Sequence, residues 1–223
     1  MALLHKILRG TGRRYPRYRD ELGRSVAFGR LISNGPRAVL TGLGRKLLGK
    51  RPQRPWISYD AAAAFALHLD PARSNVLEYG SGMSTAWLAA RSARVTSIEA
   101  DPGWFAELSH RLAGREGVTL RLGLSQADYV SVPAGELFDL ILIDGSWRCE
   151  CAKLARSHLA PGGVIYLDNS DKQGGTSGNL AEARRVLIEF AEENSLPWAE
   201  ITDFAPTQFF VERGLWVGPN PPV

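Results

Sequence analysis

Residues 75–99 constrain the fold of this 223-residue chain more than any other segment. Asn75–Tyr79 is a short apolar stretch typical of a strand, a helical stretch follows, and Arg94–Glu99 is rich in the β-branched residues that favour strands. The turn after the first strand contains Gly80 and Gly82, which leave the backbone free to turn sharply and let a ligand approach closely. The segment is therefore predicted to be a βαβ unit with two parallel strands.

Two acids in this unit indicate which nucleotide it binds. Glu78 lies directly before the turn, and Glu99 ends the second strand 21 residues later, a spacing that places an acid beside ribose hydroxyls. A nicotinamide dinucleotide would favour a third glycine where Thr85 stands, and it would disfavour an acid beside its pyrophosphate. Glu78 suits the ammonium group of a methionine instead. The sequence thus predicts an S-adenosylmethionine site, and the remaining alternatives are a dinucleotide site and a glycine turn with two solvated acids.

Strands and helices continue to alternate after this unit. Further strands are predicted at Val118–Leu122, Phe138–Asp144, Val164–Asn169, Ala199–Phe204 and Gln208–Glu212. This alternation predicts an α/β fold in residues 56–223, with a Rossmann-like, doubly wound, mostly parallel seven-stranded sheet. Because no helix separates the last two strands, we expect them to form an antiparallel hairpin at one edge.

Residues 1–55 are predicted to be a separate basic extension. They carry fourteen Lys or Arg residues against two acids, whereas the rest of the chain is mildly acidic. Helices are predicted at Glu21–Ser33 and Arg37–Leu48, followed by a linker rich in Arg and Pro. Three interpretations remain open for this extension: it binds an anionic membrane surface, it tracks nucleic-acid phosphates, or it packs on the domain or on a second subunit to form a homodimer.

The cysteines and the hydropathy favour a cytoplasmic protein. Any peripheral association with a membrane is then expected at the inner face. Cys149 and Cys151 are too few ligands for a zinc site and too close for a comfortable disulfide, so both are expected to be free thiols. The sequence contains no apolar run as long as the roughly 20 residues of a membrane span and no recognisable signal peptide.

Several motifs resemble those of the class I S-adenosylmethionine-dependent methyltransferases. The first two motifs of that family are similar to Glu78–Thr85 and Glu99, the fourth to Phe138–Gly145, and the approach to strand five to Pro161–Gly163. The resemblance covers residues 56–223. Locally it is closest to bacterial proteins of mostly unassigned substrate, which share a sequence like Trp56-Ile-Ser-Tyr ahead of the glycine turn. It implies methyl transfer, and we expect an oxygen atom of a small molecule or a glycan to be the acceptor.

A second, more specific resemblance is to catechol-type O-methyltransferases. These hold a divalent cation with an Asp after strand four and an Asp-Asn pair after strand five, which correspond to Asp144, Asp168 and Asn169. The resemblance implies a Mg²⁺ ion that acidifies the acceptor hydroxyl. The alternative is that Asp144 anchors the cofactor while Asp168 and Asn169 cap their loop.

The two resemblances together imply the site residues. The expected cofactor-binding residues are Tyr59, Glu78, Gly80, Ser81, Gly82, Ser84, Thr85, Glu99, Ala100, Ser125, Gln126 and Asp144. Asp144 and Asp168 are the expected catalytic groups, because methyl transfer to oxygen needs mainly positioning and removal of a proton. Two alternatives stay open, namely an aminopropyl transferase on the same fold and a non-catalytic subunit that keeps the fold for binding.

Overall fold

The computed structural model describes residues 16–172 and 179–222. The helices are α1 (Phe28–Leu48), α2 (Tyr59–His68), α3 (Met83–Ala89), α4 (Pro102–Arg111), α5 (Gln126–Val130), α6 (Arg148–Ala155) and α7 (Leu180–Glu193). The strands are β1 (Asn75–Tyr79), β2 (Arg94–Glu99), β3 (Val118–Leu122), β4 (Phe138–Ile143), β5 (Leu159–Leu167), β6 (Trp198–Phe204) and β7 (Val211–Val217).

All seven strands form one sheet in the order β3-β2-β1-β4-β5-β7-β6. Strands β1 to β5 pair in parallel, whereas β7 runs antiparallel to both β5 and β6. The predicted Rossmann-like sheet with an antiparallel edge hairpin is confirmed. The strand order reverses direction at β1, so the loops after β1 and β4 flank the crevice in which open α/β sheets bind ligands.

Both faces of the sheet are covered, as a doubly wound fold requires. On one face, Leu77 and Ile141 pack with residues of α6 and α7 such as Leu187. On the other face, Val76 and Leu140 pack with α2 and the hairpin. All of these side chains are buried, and this burial holds the ends of β1 and β4 in fixed positions.

The sheet differs from the sequence prediction mainly at its antiparallel edge. The last strand was predicted at Gln208–Glu212, but β7 spans Val211–Val217, and all seven of its residues are buried. The apolar stretch 214–217 is therefore central to the hairpin, because it pairs with β5 on one side and with β6 on the other. Strand β5 also begins five residues earlier than predicted, at Leu159, across a register shift opposite Phe138 and Leu140.

The described part of the N-terminal segment contains one long helix where two short ones were predicted. Helix α1 runs from Phe28 to Leu48 and continues through Pro36, although proline normally breaks a helix interior. Its buried residues are small, and a Cβ atom on Gly42 would lie 2.6 Å from the Phe209 ring. This close packing against the hairpin holds α1 in place on both sides of the proline.

Polar contacts also tie the N-terminal segment to the sheet edge. The Asn34 amide donates to the Asp203 carboxylate at 2.9 Å, and Arg213 pairs with the fully buried Asp20 at 2.8 Å. The part of the basic extension that the structure describes therefore lies on the edge of the sheet, while residues 1–15 lie outside the described residues. Within 16–172 and 179–222, no helix is both long and apolar enough to cross a bilayer.

Candidate functional site

The loops that follow β1 and β4 meet at the carboxyl edge of the sheet. Gly80 has φ +102°, and a Cβ atom there would lie 2.7 Å from the Cα of Gly145. Gly145 is equally confined, since its own Cβ would lie 2.0 Å from the Tyr129 hydroxyl. Only glycine allows the two backbones to touch in this way. The contact leaves a cavity of about 350 Å³ beside the turn.

Residues of the N-terminal segment and of the loops after β1 and β4 are among those that line this cavity. Six of them were predicted as site residues: Gly80, Ser81, Gly82, Ser84, Glu99 and Asp144. Eight were not predicted: Arg45, Arg51, Trp56, Met83, Trp104, Tyr129, Gly145 and Ser146. The structure thus brings together the glycine turn, the acid after β2 and the acid after β4, as the sequence motifs indicated.

Glu99 is held at the cavity wall by the backbone that follows it. Its Oε1 atom accepts hydrogen bonds at 2.8 Å from the N–H groups of Ala100 and Asp101, which fixes the carboxylate. Partial burial raises the pKa of Glu99, while these two bonds oppose the rise. Trp104, at the start of α4, donates from its indole to the Ser81 carbonyl at 2.8 Å and so ties the glycine turn to the segment after β2.

Glu78 is completely buried behind the turn and does not line the cavity. Three hydroxyl groups donate to its carboxylate: Ser97 at 2.5 Å, Thr85 at 2.6 Å, and Ser84 through a short bond. Burial raises the pKa of Glu78 to about 7, against the lowering effect of these hydroxyls. Because Ser84 lines the cavity, its hydroxyl connects the buried Glu78 to the cavity wall.

The acids after β4 and β5 surround an arginine. Arg148, a buried residue at the start of α6, donates to Asp144 Oδ1 at 3.1 Å and to Asn169 Oδ1 at 3.3 Å. It also donates to the main-chain oxygens of Asp168 at 2.7 Å and of Gly145 at 2.9 Å. The guanidinium therefore occupies the centre of the predicted metal-binding set.

Asp144 and Asp168 differ in access and in charge. Asp144 lines the cavity, and burial raises its pKa while Arg148 and a hydrogen bond from Asp168 lower it. Asp168 is buried away from the cavity, and both burial and the neighbouring Asp144 raise its pKa well above the usual range. Burial and the neighbouring carboxyl thus favour the neutral form of Asp168, and Asp144 is the acid that lines the cavity.

This arrangement does not fit the Mg²⁺ ion implied by the catechol-type resemblance. Two of the three implied ligands, Asp144 and Asn169, already accept hydrogen bonds from Arg148 through their side-chain oxygens. A cation placed among them would also meet the fixed positive charge of the guanidinium. Among residues 16–172 and 179–222, no group of three or more His, Cys, Asp or Glu side chains could hold a metal. The predicted metal site is not supported.

Several predicted cofactor residues lie outside the cavity lining. Tyr59 is buried beneath α1, with the guanidinium of Arg37 4.5 Å from its ring centroid. Ser125 and Gln126 are exposed at the start of α5, where the Ser125 hydroxyl accepts from the N–H of Asp128 at 3.1 Å and so caps the helix. Two others support their neighbours: Ala100 binds Glu99 through its N–H, and Thr85 binds Glu78. Their roles as cofactor contacts remain predictions.

The aromatic and basic lining residues come from segments that the sequence motifs did not include. Trp56 directly follows the predicted linker, and the Arg45 guanidinium lies 4.6 Å from its ring centroid. The Arg51 guanidinium lies 5.9 Å from the Trp104 ring. The one available signal was that Trp56 belongs to the Trp-Ile-Ser-Tyr sequence that accompanies the glycine turn in similar proteins. Arg45 and Arg51 had no such signal, because they reach the cavity only through the packing of α1.

Comparison with known proteins agrees with this geometry. Residues 77–170 match the model of a family described as a methyltransferase domain. No curated protein matches the chain. A solved structure from Klebsiella pneumoniae is 20% identical, with a TM-score of 0.58 over 83% of this chain and 98% of that one.

Two O-methyltransferase structures share the same fold. TomG from Streptomyces achromogenes, in complex with S-adenosylmethionine, is 17% identical, with a TM-score of 0.56 over 81% of this chain and 88% of TomG. The Bacillus cereus O-methyltransferase, in complex with S-adenosylhomocysteine, is 20% identical, with a TM-score of 0.54 over 82% of this chain and 98% of that one. At these identities the structures establish the fold alone. Residues 77–170 thus match a methyltransferase domain, and the described chain shares the fold of these structures.

Proposed function

We propose that this protein is an S-adenosylmethionine-dependent methyltransferase that acts on a hydroxyl group of a small molecule or a glycan. The observation that carries the proposal is that Glu99 and the Gly80–Gly82 turn line one cavity together with Asp144. This set of groups suits the ribose and the amino-acid end of the cofactor, and it adds a carboxylate for the acceptor. The two O-methyltransferases that share the fold support oxygen as the target atom.

The lining residues suggest how the cofactor would be held. S-adenosylmethionine supplies a methyl group that its positively charged sulfur already activates. The fixed Glu99 carboxylate would accept hydrogen bonds from both ribose hydroxyls. Ser84, backed by the buried Glu78, would face the methionine end, and the flat faces of Trp56 and Trp104 would exclude water around the nucleoside. The glycines let the main chain approach without a side chain in the way.

Asp144 is the residue proposed to remove the acceptor proton. It lines the cavity, and the carboxyl of Asp168 lies close enough to interact with it. Arg148 fixes Asp144 from the other side at 3.1 Å. A carboxylate whose pKa is raised by burial is a stronger base than an exposed one, which helps it take a proton from a hydroxyl. In this proposal Asp168 and Arg148 are positioning residues.

Calorimetry with S-adenosylhomocysteine tests the cofactor part of the proposal. We expect the wild-type chain to bind and Glu99→Gln to lose at least about tenfold in affinity, because ribose hydroxyls would lose a charged acceptor. The matched control is Glu116→Gln, an exposed glutamate away from the cavity, which should bind as the wild type does. Equal affinity in Glu99→Gln and wild type would contradict the assignment of the ribose site.

A methyl-transfer assay tests the reaction itself. Purified protein is incubated with methyl-labelled S-adenosylmethionine and a panel of phenols, sugars and amines. We expect label to appear on a hydroxylated compound with release of S-adenosylhomocysteine, and Asp144→Asn to lower kcat by about 10²–10⁴-fold while the affinity for S-adenosylhomocysteine is kept. Label on amines alone would contradict the choice of oxygen. The same assay separates the alternatives, since a binding subunit releases no product and an aminopropyl transferase requires the decarboxylated cofactor.

A further inference from the structure

The outward face of α1 is apolar. Of the fourteen large apolar side chains that are strongly exposed in the part of the chain that the structure describes, eight belong to this one helix. They are Phe28, Leu31, Ile32, Val39, Leu40, Leu43, Leu47 and Leu48. Most recur at intervals of three or four residues, so they form a continuous stripe along the helix. Phe28, Leu40 and Leu47 are 75%, 69% and 72% exposed, which is unusual for such residues on one element.

Helix α1 buries and exposes the opposite kinds of residue from an ordinary surface helix. The residues that it buries against the sheet edge are small or polar: Asn34, Gly35, Ala38 and Gly42. A surface helix of a globular protein normally turns its large apolar side chains inward and its polar ones to water. Here the small residues are needed for close contact with the aromatic rings of the hairpin, and the large apolar residues are left outside. The stripe therefore does not stabilise the described fold and is available to another surface.

The charges on α1 itself are all positive. Helix α1 contains no acidic residue, and the sequence has no Asp or Glu between Glu21 and Asp60. Lys46, Lys50 and Arg51 are exposed at the carboxyl end of the helix and directly after it. Among the described contacts, neither lysine is paired with a carboxylate. An apolar stripe with basic residues beside it matches a surface that is apolar inside and anionic at its boundary.

We propose that α1 is a membrane-docking helix that lies flat on a bilayer containing anionic lipids. Its apolar stripe would enter the boundary of the acyl chains, and the neighbouring Lys and Arg side chains would bind the headgroup phosphates. A second copy of the chain is the less suitable occupant. A stripe about 31 Å long and about 10 Å wide would bury about 600 Å² in total between two copies, below the roughly 1,200 Å² of the smaller stable interfaces.

Docking through α1 would place the cofactor cavity beside the membrane surface. Arg45 and Arg51, which line that cavity, lie in the last turn of α1 and directly after the helix. The cavity and the lipid-facing stripe are therefore adjacent parts of one structure. The docking proposal does not depend on the proposed methyl transfer, because it rests only on the exposed face of α1 and its charges.

Vesicle flotation of the full chain tests this proposal. The probes are vesicles of phosphatidylcholine with phosphatidylglycerol, and vesicles of phosphatidylcholine alone. We expect the wild type to float with the anionic vesicles, and less of it to do so as salt is raised. The triple variant Leu40→Gln, Leu43→Gln, Leu47→Gln should lose at least about tenfold of the bound fraction, because each change removes an apolar side chain from the lipid. These leucines are exposed, so the fold should be retained.

Two controls make the result specific to α1. Leu67→Gln changes a leucine on α2 that is 90% exposed and should leave flotation unchanged. Lys46→Gln with Lys50→Gln should weaken binding to anionic vesicles several-fold, whereas Lys153→Gln, at an exposed lysine on α6, should not. Absence of wild-type binding to anionic vesicles would overturn the proposal, as would equal losses in Leu67→Gln. It would also be overturned if light scattering showed a dimer that the triple variant dissociates, since the stripe would then be a subunit interface.

Discussion

Two groups of buried acids stand at the carboxyl edge of the sheet, and they are stabilised in opposite ways. Glu78, after β1, is surrounded by neutral donors, and burial raises its pKa to about 7. Asp144 and Asp168, after β4 and β5, share an internal cation, since Arg148 donates to Asp144 and to the main chain of Asp168. The neutral donors leave the acid after β1 able to respond to a positively charged ligand. Asp144 and Asp168 already have Arg148 as a positive partner, so they do not need a positively charged ligand.

This difference explains why the residues of one motif resemblance line one cavity and those of the other do not form a metal site. The glycine turn and Glu99 are positioned by local backbone geometry, which the motif itself determines. The Asp144, Asp168 and Asn169 set depends on what lies between its members, and that position is filled by Arg148. Similar acids at the same strand ends therefore support different chemistry, according to the cation that accompanies them.

Replacement of Arg148, the internal cation, should have the largest effect on the free energy of unfolding. Arg148→Met leaves Asp144 and Asp168 buried beside each other without their positive partner, and three main-chain oxygens lose a donor. Loss of one partner of a buried ion pair costs about 3–5 kcal/mol, so the free energy of unfolding in urea should fall by that amount. Arg156→Met, at an exposed arginine bound only to the Lys153 carbonyl, should change it by less than about 0.5 kcal/mol. Equal losses in the two variants would contradict the role given to Arg148.

Glu78, the acid after β1, should make the free energy of unfolding depend on pH. A folded-state pKa of about 7, above the usual 4.5, means that the folded chain holds a proton that the unfolded chain releases between these values. Stability from this group is therefore complete below pH 4.5, falls as pH rises, and is about 3 kcal/mol lower above pH 7. Glu78→Gln cannot ionise, so its unfolding free energy should lose this part of the pH dependence.

Urea unfolding at about pH 5 and pH 8 measures the effect on each chain. The decrease in stability between the two pH values should be smaller in Glu78→Gln than in wild type. Glu116→Gln, at an exposed glutamate, should keep the wild-type decrease. If Glu78→Gln shows the wild-type decrease as well, then Glu78 is already ionised in the folded chain at about pH 5. In that case burial does not raise the pKa of Glu78 as stated.

The same contrast separates what the sequence could predict from what it could not. Strands β1, β2 and β3 have the predicted bounds, because periodicity, β-branched residues and flanking turns are local signals. The six predicted residues that line the cavity follow from the turn after β1 and the ends of β2 and β4. Glycine contacts such as Gly80 against Gly145 then fix how these segments meet.

Features that depend on distant packing were not predictable in this way. Pro36 indicated a helix boundary, but the hairpin holds α1 as one helix across it. Arg45 and Arg51 enter the cavity wall only because that helix lies on the sheet edge. Arg148 stands close to Asp144 in the sequence, but its contacts with Asp168 and Asn169 depend on packing, since those two residues follow β5.

The hydroxyl shell of Glu78 offers a smaller and more selective test. Ser97→Ala removes the donor at 2.5 Å, and a hydrogen bond to a charged group contributes about 1.5–3 kcal/mol. Loss of a donor that favours the ionised form raises the pKa of Glu78 further, so the cost should be larger at pH above 7 than below 4.5. The control is Ser92→Ala, whose buried hydroxyl donates to the neutral Leu88 carbonyl at 2.9 Å. Its cost should be about 1 kcal/mol and independent of pH. If the cost of Ser97→Ala does not depend on pH, then Ser97 does not stabilise the ionised form of Glu78.

Addition or removal of a metal ion should have the smallest effect on the melting temperature and on the affinity for S-adenosylhomocysteine. Any ion that binds the folded chain raises its melting temperature with concentration, so a real Mg²⁺ site would be visible without an acceptor substrate. Because Arg148 already accompanies Asp144 and Asn169, we expect neither Mg²⁺ nor excess chelator to change the melting temperature or the affinity for S-adenosylhomocysteine. Arg148→Met sharpens the test, since Mg²⁺ should stabilise that variant more than the wild type if the guanidinium stands in the position of a cation. Stabilisation of the wild type by Mg²⁺, reversed by chelator, would show instead that the two acid groups both serve external ligands.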